Sequence, residues 1–270
     1  FGVPTLLHQH SDFRDFYEKE CGPLRRWIIR YVLEHASTVI VLSDRLHTYM
    51  ATTAPGARLV TIHNFVNLKR LSEAERVCVP RSSNTILFMG LIGQRTGIYD
   101  LVRALPAVIK AAPEVRLVAA GPGELDAVRS CARERGVDDR VLLTGFVSGF
   151  DKLRLLEEAA LYVLPSYTEG VPLSILEAMS VGLPVIATPV GGIPDVLRHG
   201  VDGYLVPPGS QTELADRIIE LLNNKELRER MGENARRRSC SKFSPDIAVA
   251  AFISLYRRYA ADAARPGADP

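Results

Sequence analysis

The stretch Leu161-Tyr-Val-Leu-Pro-Ser-Tyr-Thr-Glu169-Gly-Val-Pro-Leu-Ser-Ile-Leu-Glu177-Ala-Met-Ser-Val-Gly-Leu-Pro-Val-Ile-Ala187 decides how this chain is read. An apolar run, Leu161–Leu164, leads into a polar loop, then a helix-length apolar segment, then a second short run, Pro184–Ala187. That is strand, loop, helix, strand: one βαβ unit, whose crossover makes the two strands parallel. Gly170 and Pro172 set a turn and a helix start directly beyond the first strand. The N–H groups of Gly170, Val171 and Leu173 can then point out of the helix N-terminus, whose free donors and dipole suit an anion; Pro172 has no N–H to give. In open α/β sheets ligands lie beyond the carboxyl ends of the strands, which is where this loop falls.

Glu169 stands in that loop and Glu177 in the helix. A spacing of eight is ordinary in itself, and two solvated acids would account for it. Glu177, however, is flanked by Ile175, Leu176, Ala178 and Met179. An acid in an apolar helix needs a partner, and the hydroxyls of a ligand are one.

Outward from this unit the alternation continues. Candidate strands are Thr5–His8, Thr38–Leu42, Leu59–Ile62, Thr85–Met89, Val115–Ala119, Val141–Thr144 and Tyr204–Val206, with helical patterns at Tyr99–Ala112, Glu124–Arg135 and Asp151–Ala159. Strands alternating with helices predict an α/β fold, a parallel sheet with helices on both faces. Residues 1–68 hold about three strands. Residues 69–84, with mixed charges, Pro80 and Ser82-Ser83-Asn84, have linker composition. Residues 85–244 hold six strands and read as a complete domain. Residues 245–270 form a closing helix and tail, opened by Ser244-Pro245 as cap and first helical residue. The chain begins with Phe1 as though in mid-domain, with no signal-peptide pattern, which reads as an N-terminal truncation.

The 270 residues are 47% hydrophobic and 24% charged, ordinary for a folded α/β chain. A net charge of +2 gives no reason to expect nucleic acid as a partner. No apolar run approaches the roughly 20 residues that span a bilayer. The four cysteines are far apart, without metal-ligand spacing, and suit a reducing, cytoplasmic setting.

Pro165-Ser-x-x-Glu169-Gly-x-Pro-x-x-x-x-Glu177-Ala-Met, followed by Gly182-x-Pro184-Val-Ile-Ala-Thr and Gly191-Gly-Ile-Pro, resembles the signature of glycosyltransferase family 4. Phe88-Met-Gly90 and Arg95-Thr-Gly97 resemble its first phosphate loop, Gly121-Pro-Gly123 the next strand end, and Thr144-Gly-Phe-Val147 its base-binding turn. Asp202-Gly-Tyr-Leu-Val-Pro-Pro-Gly209 and Phe243-Ser244 complete a pattern that covers essentially the whole chain in the family's order. The resemblance implies the GT-B architecture: a complete C-terminal Rossmann-like, doubly wound parallel sheet plus part of an N-terminal, acceptor-side one. It implies retaining transfer of a sugar from a nucleotide-diphosphate-sugar to a saccharide or lipid-linked hydroxyl, as in cell-surface polysaccharide or glycolipid biosynthesis. A peripheral membrane contact through the N-terminal part belongs to the same expectation.

Residue by residue, the resemblance implies that Glu177 accepts from ribose hydroxyls and Glu169 from the transferred sugar. Gly90, Arg95, Gly170, Val171 and Leu173 would bound the diphosphate, and Val147 would meet the base through its backbone. His10, in Leu7-His8-Gln-His10-Ser, matches the family's His-x-His-Gly segment with Ser11 for Gly, and is chosen over His8 as the histidine at the reacting centre. No Asp-x-Asp pair occurs in the chain, and neither cofactor nor metal is expected. The chain departs from the family where Leu91 replaces an arginine and Thr96 a lysine, leaving Arg95 as the cation of that loop. If Thr96 faced the diphosphate, a lysine there would tighten donor binding. Three alternatives stay open: a non-catalytic nucleotide-sugar-binding module, a nucleotide-sugar epimerase of the same fold, and an NAD oxidoreductase. The last is disfavoured because Gly121-Pro-Gly123 lacks the third glycine of the dinucleotide fingerprint.

Overall fold

The computed structural model describes residues 4–10, 14, 16–66 and 81–263. The expected linker lies outside these residues up to position 80. Strands β1 (Leu6–His8), β2 (Thr38–Val41) and β3 (Leu59–Thr61) form a parallel sheet in that order, joined by helices α1 (Pro23–His35) and α2 (Asp44–Thr53). The strand alternation sorts β2 onto two faces, as a period of two requires. Val39 and Val41 pack with Leu33, Leu46 and Met50 of α1 and α2, whereas Ile40 packs on the opposite side.

The second sheet contains β4 (Thr85–Met89), β5 (Arg116–Ala120), β6 (Val141–Gly145), β7 (Leu161–Leu164), β8 (Val185–Ala187) and β9 (Gly203–Leu205). All are parallel, in the order β6-β5-β4-β7-β8-β9. The chain runs outward from β4 to β6, returns beside β4, and runs outward the other way. The carboxyl ends of β4 and β7 therefore stand side by side at a topological switch point. Helices α3 (Ile98–Ala111), α4 (Leu125–Glu134), α5 (Gly149–Glu158), α6 (Leu173–Ser180) and α7 (Ile193–Val196) make the crossovers, and with α8 (Gln211–Asn223), which follows β9, they cover the faces. β7 and β8 are buried at every position, so they read as continuous apolar runs, while the edge strand β6 alternates half-buried with exposed residues. At the centre the fully buried Tyr162 donates its hydroxyl to the Met89 carbonyl at 2.8 Å.

Two long helices close the described chain, α9 (Lys225–Lys242) and α10 (Pro245–Ala263). α10 does not stay with the second sheet. Ala248, Ala251, Phe252, Leu255 and Tyr259 recur at helical spacing and cover Ile40 and Ile62 of the first unit, and the Tyr259 hydroxyl donates to the Ser37 carbonyl. The small sheet is thus covered on one face by α1 and α2 and on the other by the end of the chain.

Candidate active site

The loops after β4, β7 and β8 converge on the loops after β1, β2 and β3, and three glycines make the convergence close. At Gly97, with φ 72°, a Cβ would lie 2.0 Å from the Pro165 carbonyl oxygen; beside it Tyr167 N–H donates to the Arg95 carbonyl at 2.9 Å. At Gly191, with φ 53°, a Cβ would lie 1.7 Å from the Glu169 carbonyl oxygen. Gly192 N–H donates to the Gly170 carbonyl at 2.8 Å and meets Ser43 of the first unit, where a Cβ would come within 2.9 Å of the Ser43 side chain. These contacts leave no room for a side chain. Polar ties join the two units: Asn64 Nδ2 donates to the Val171 carbonyl at 2.9 Å, and Arg45 N–H donates to Asp195 Oδ2 at 2.9 Å.

Between the units lies a cleft of about 800 Å³, with His10, Ser43, Thr48 and Tyr49 on one wall and Tyr167, Gly170, Gly191 and Asp195 on the other. A recess of about 180 Å³ is lined by His10, Arg95, Thr168, Glu169, Gly170, Val171 and Pro172. Five of the expected site residues, His10, Arg95, Glu169, Gly170 and Val171, therefore share one recess. The amides of Gly170, Val171 and Leu173 donate to no group among the described residues, while the carbonyls of Gly170 and Val171 are taken. Leu173 is half-exposed at the first turn of α6. Gly90 and Val147 line neither cavity. Gly90 ends β4 with its N–H on the Ala120 carbonyl, and Val147 packs against the core just beyond β6. His10 faces both cavities, while the neighbouring His8, with ring centroids 4.0 Å apart, leans on Phe252 of α10.

Burial pushes the Glu169 carboxyl above its ordinary pKa, opposed by the Ser166 hydroxyl, which donates at 2.8 Å, and by the Arg95 charge. A carboxyl raised by folding contributes stability that is present at low pH and is lost as pH rises through its folded value. Glu169→Gln removes the cost of the buried anion. The variant is expected to melt higher than the wild type at neutral pH, with the gap closing as pH falls through the carboxylate range. A gap that does not vary with pH, or has the opposite sign, refutes the assignment.

Two expectations need correction. Glu177 has a partner within the protein: its Oε1 lies 2.6 Å from Lys152 Nζ on α5. The apolar neighbours of Glu177 signalled that a partner was needed, but one 25 positions earlier in the chain is not visible from that helix. Thr96 does not face the cleft. It is 3% exposed, inside the short turn Gln94–Thr96, with its hydroxyl shared between the carbonyls of Leu91 and Gly93. Leu91, Gln94 and Arg95 are the exposed positions of that loop. Sequence reasoning also missed Asn64, the Arg45–Asp195 tie, and Tyr167, which donates to Asp100 at 2.6 Å while Gln211 donates to the other carboxylate oxygen at 3.0 Å.

Residues 73–238 match the sequence profile of the family described as glycosyl transferases group 1. The chain is 28% identical to an alpha-D-kanosaminyltransferase of Streptomyces kanamyceticus over 95% of its own length and 71% of that protein's. It is 36% identical to a phosphatidyl-myo-inositol mannosyltransferase of Mycobacterium leprae over 77% of this chain and 54% of the relative. Among solved structures, a sucrose-phosphate synthase from Thermosynechococcus elongatus superposes with a TM-score of 0.83 at 26% identity, covering 95% of this chain and 68% of that one. The chain thus spans between about half and seven-tenths of the length of these proteins.

Proposed function

The chain belongs to the group 1 glycosyl transferases and has their GT-B architecture, and from that premise we propose that it transfers a sugar, with retention, from a nucleotide-diphosphate-sugar to an acceptor hydroxyl. The observation that carries this is the recess at the switch point, where Arg95, the undirected amides of Gly170 and Val171, Glu169 and His10 meet. Arg95 and the amides of Gly170, Val171 and Leu173 suit the diphosphate and the charge that grows on it as the sugar leaves. Glu169, half-buried and raised in pKa, suits the hydroxyls of the sugar. Glu177 suits the ribose. In the step proposed, the acceptor oxygen bonds to the anomeric carbon on the face the phosphate leaves, and the acceptor proton passes to the departing phosphate oxygen. His10 donates to that phosphate or to a sugar hydroxyl. The acceptor, a saccharide or lipid-linked hydroxyl, occupies the cleft beside Thr48 and Tyr49.

The test is turnover of labelled UDP- and GDP-sugars, with the anomeric configuration of the product read by NMR. Inversion, or nicotinamide binding in place of nucleoside diphosphate, refutes the reading. A second reading, a binding module without turnover, is favoured by one observation: Arg95 is the single cation between Gly90 and Gly97. Calorimetric binding of UDP or GDP without sugar release would establish it, and a changed sugar released without acceptor would mark an epimerase. Glu177→Ala is expected to weaken nucleoside-diphosphate binding by roughly 1.5–3 kcal/mol, the scale of a hydrogen bond to a charged group. Unchanged affinity in a folded variant removes Glu177 from the site.

No metal is assigned to this site, because Arg95 and the amides carry the diphosphate charge. EDTA is accordingly expected to leave UDP or GDP affinity unchanged, and a magnesium-reversible loss contradicts this. No helix of the described residues is long and apolar enough to cross a membrane. A peripheral contact is proposed for α1, where Leu24, Trp27, Ile28, Tyr31 and Val32 form an exposed apolar stripe flanked by Arg25, Arg26 and Arg30. Sedimentation with anionic vesicles that Trp27→Ser does not reduce argues against it.

A further inference from the structure

We propose that Lys152 is a positioning residue that converts Glu177 from a two-oxygen acceptor into one half of an acceptor–donor pair for a vicinal diol. This rests on the donor-site reading above and extends it to a residue outside the motifs. Lys152 Nζ lies 2.6 Å from Glu177 Oε1, with the two side chains 26% and 15% exposed. An ion pair this sheltered is screened little by solvent, yet neither side chain is fully buried. The pair links two successive crossovers of the sheet, because Lys152 stands in the first turn of α5, after β6, and Glu177 in the middle of α6, after β7. Glu177 is itself held in place: its carbonyl accepts from the Ser180 hydroxyl at 2.6 Å and from Val181 N–H.

The hydrogen-bond inventory then sets the chemistry. A free carboxylate offers both oxygens, and a sugar diol can donate to the two at once. Here Oε1 is taken by Lys152, and Oε2 has no partner among the described residues. The ammonium has three N–H donors and spends one on Glu177. The surface offered to a ligand is therefore one anionic acceptor beside cationic donors. A vicinal diol complements it when one hydroxyl donates to Glu177 Oε2 and the other accepts from Lys152. Ribose, with its 2′ and 3′ hydroxyls, fits both halves, whereas a deoxyribose leaves one of them unmatched.

The experiment measures UDP, dUDP, GDP and dGDP binding by calorimetry to the wild type, Lys152→Met, Lys152→Gln and Glu177→Ala, with folding checked by circular dichroism. The wild type is expected to prefer the ribonucleotide about tenfold, on the scale of one hydrogen bond to a charged group. Lys152→Met is expected to bind the ribonucleotide about tenfold more weakly and to retain a preference of about twofold or less. Lys152→Gln, which restores an N–H donor without the charge, is expected to recover most of the preference, a rescue that a purely structural role does not predict. It carries the comparison should the methionine variant fail to fold. If Lys152→Met keeps both affinity and preference while Glu177→Ala loses binding, this proposal falls and the donor site stands. If the wild type binds neither nucleotide, the donor-site reading falls and the proposal with it.

Discussion

Gly191→Ala is expected to lower stability by about 2–4 kcal/mol and donor affinity by about a hundredfold. The new methyl group would stand 1.7 Å from the Glu169 carbonyl oxygen and 3.0 Å from that of Gly170, at a φ of 53° that L-residues rarely adopt. The obstacle is backbone, so no side chain can swing aside. The loop bearing Glu169 must move, and with it the hydrogen bond from Gly192 N–H to the Gly170 carbonyl. Gly200→Ala separates the two causes. Its φ is 75°, but nothing lies within 4 Å of where the new methyl group would stand, so it is expected to show the left-handed penalty alone, about 1 kcal/mol, with binding unchanged. Urea melts and nucleotide titrations of the two variants check this. Equal behaviour would mean that the close approach of the Gly191 and Glu169 loops does not govern the site.

The second large effect reverses what the motif comparison suggests. Thr96→Lys is expected to destabilise the protein by about 3 kcal/mol or more and not to tighten donor binding. Thr96 is buried in its turn, and its hydroxyl serves two loop carbonyls; a lysine there loses those bonds, overfills the space and brings a charge into it. Thr96→Ser, which keeps the hydroxyl, is expected to cost about 1 kcal/mol for the missing methyl. The added cation belongs instead at Leu91, which is 49% exposed and directly follows Gly90. Leu91→Arg is expected to leave stability within about 0.5 kcal/mol and to strengthen UDP or GDP binding several-fold at low salt, with the gain fading as salt rises. Tighter binding by a well-folded Thr96→Lys protein would contradict the placement of this loop.

The strand positions, the parallel sheets and the loop at Glu169 were legible in the sequence for a physical reason. Local patterns decide them: apolar runs such as Leu161–Leu164, a Gly and Pro at the strand end, and helical periodicity in between. Nine candidate strands correspond to β1–β9, with ends shifted by at most one residue where caps and edge pairing, not the pattern, decide the last hydrogen bond. That Gly191 and Gly192 belong to a signature could be read, but not why. Their need for hydrogen in place of Cβ arises from backbone carbonyls more than 20 positions away and from Ser43 in the other unit.

The sequence by itself determined the alternation of strands and helices, the anion-suited start of α6, and the family to which the motifs point. Tertiary structure alone decided which side chains those motifs meet. It turned Thr96 into its loop and away from the cleft, gave Glu177 a lysine, and carried α10 back over the first sheet. The division follows from the range of the forces. Backbone conformation and amphipathic spacing are set by near neighbours in the chain, so a motif carries them. The direction of a side chain is set by what packs around it, and between the two units those groups stand 107 to 150 positions apart in the chain, Asn64 with Val171 and Arg45 with Asp195.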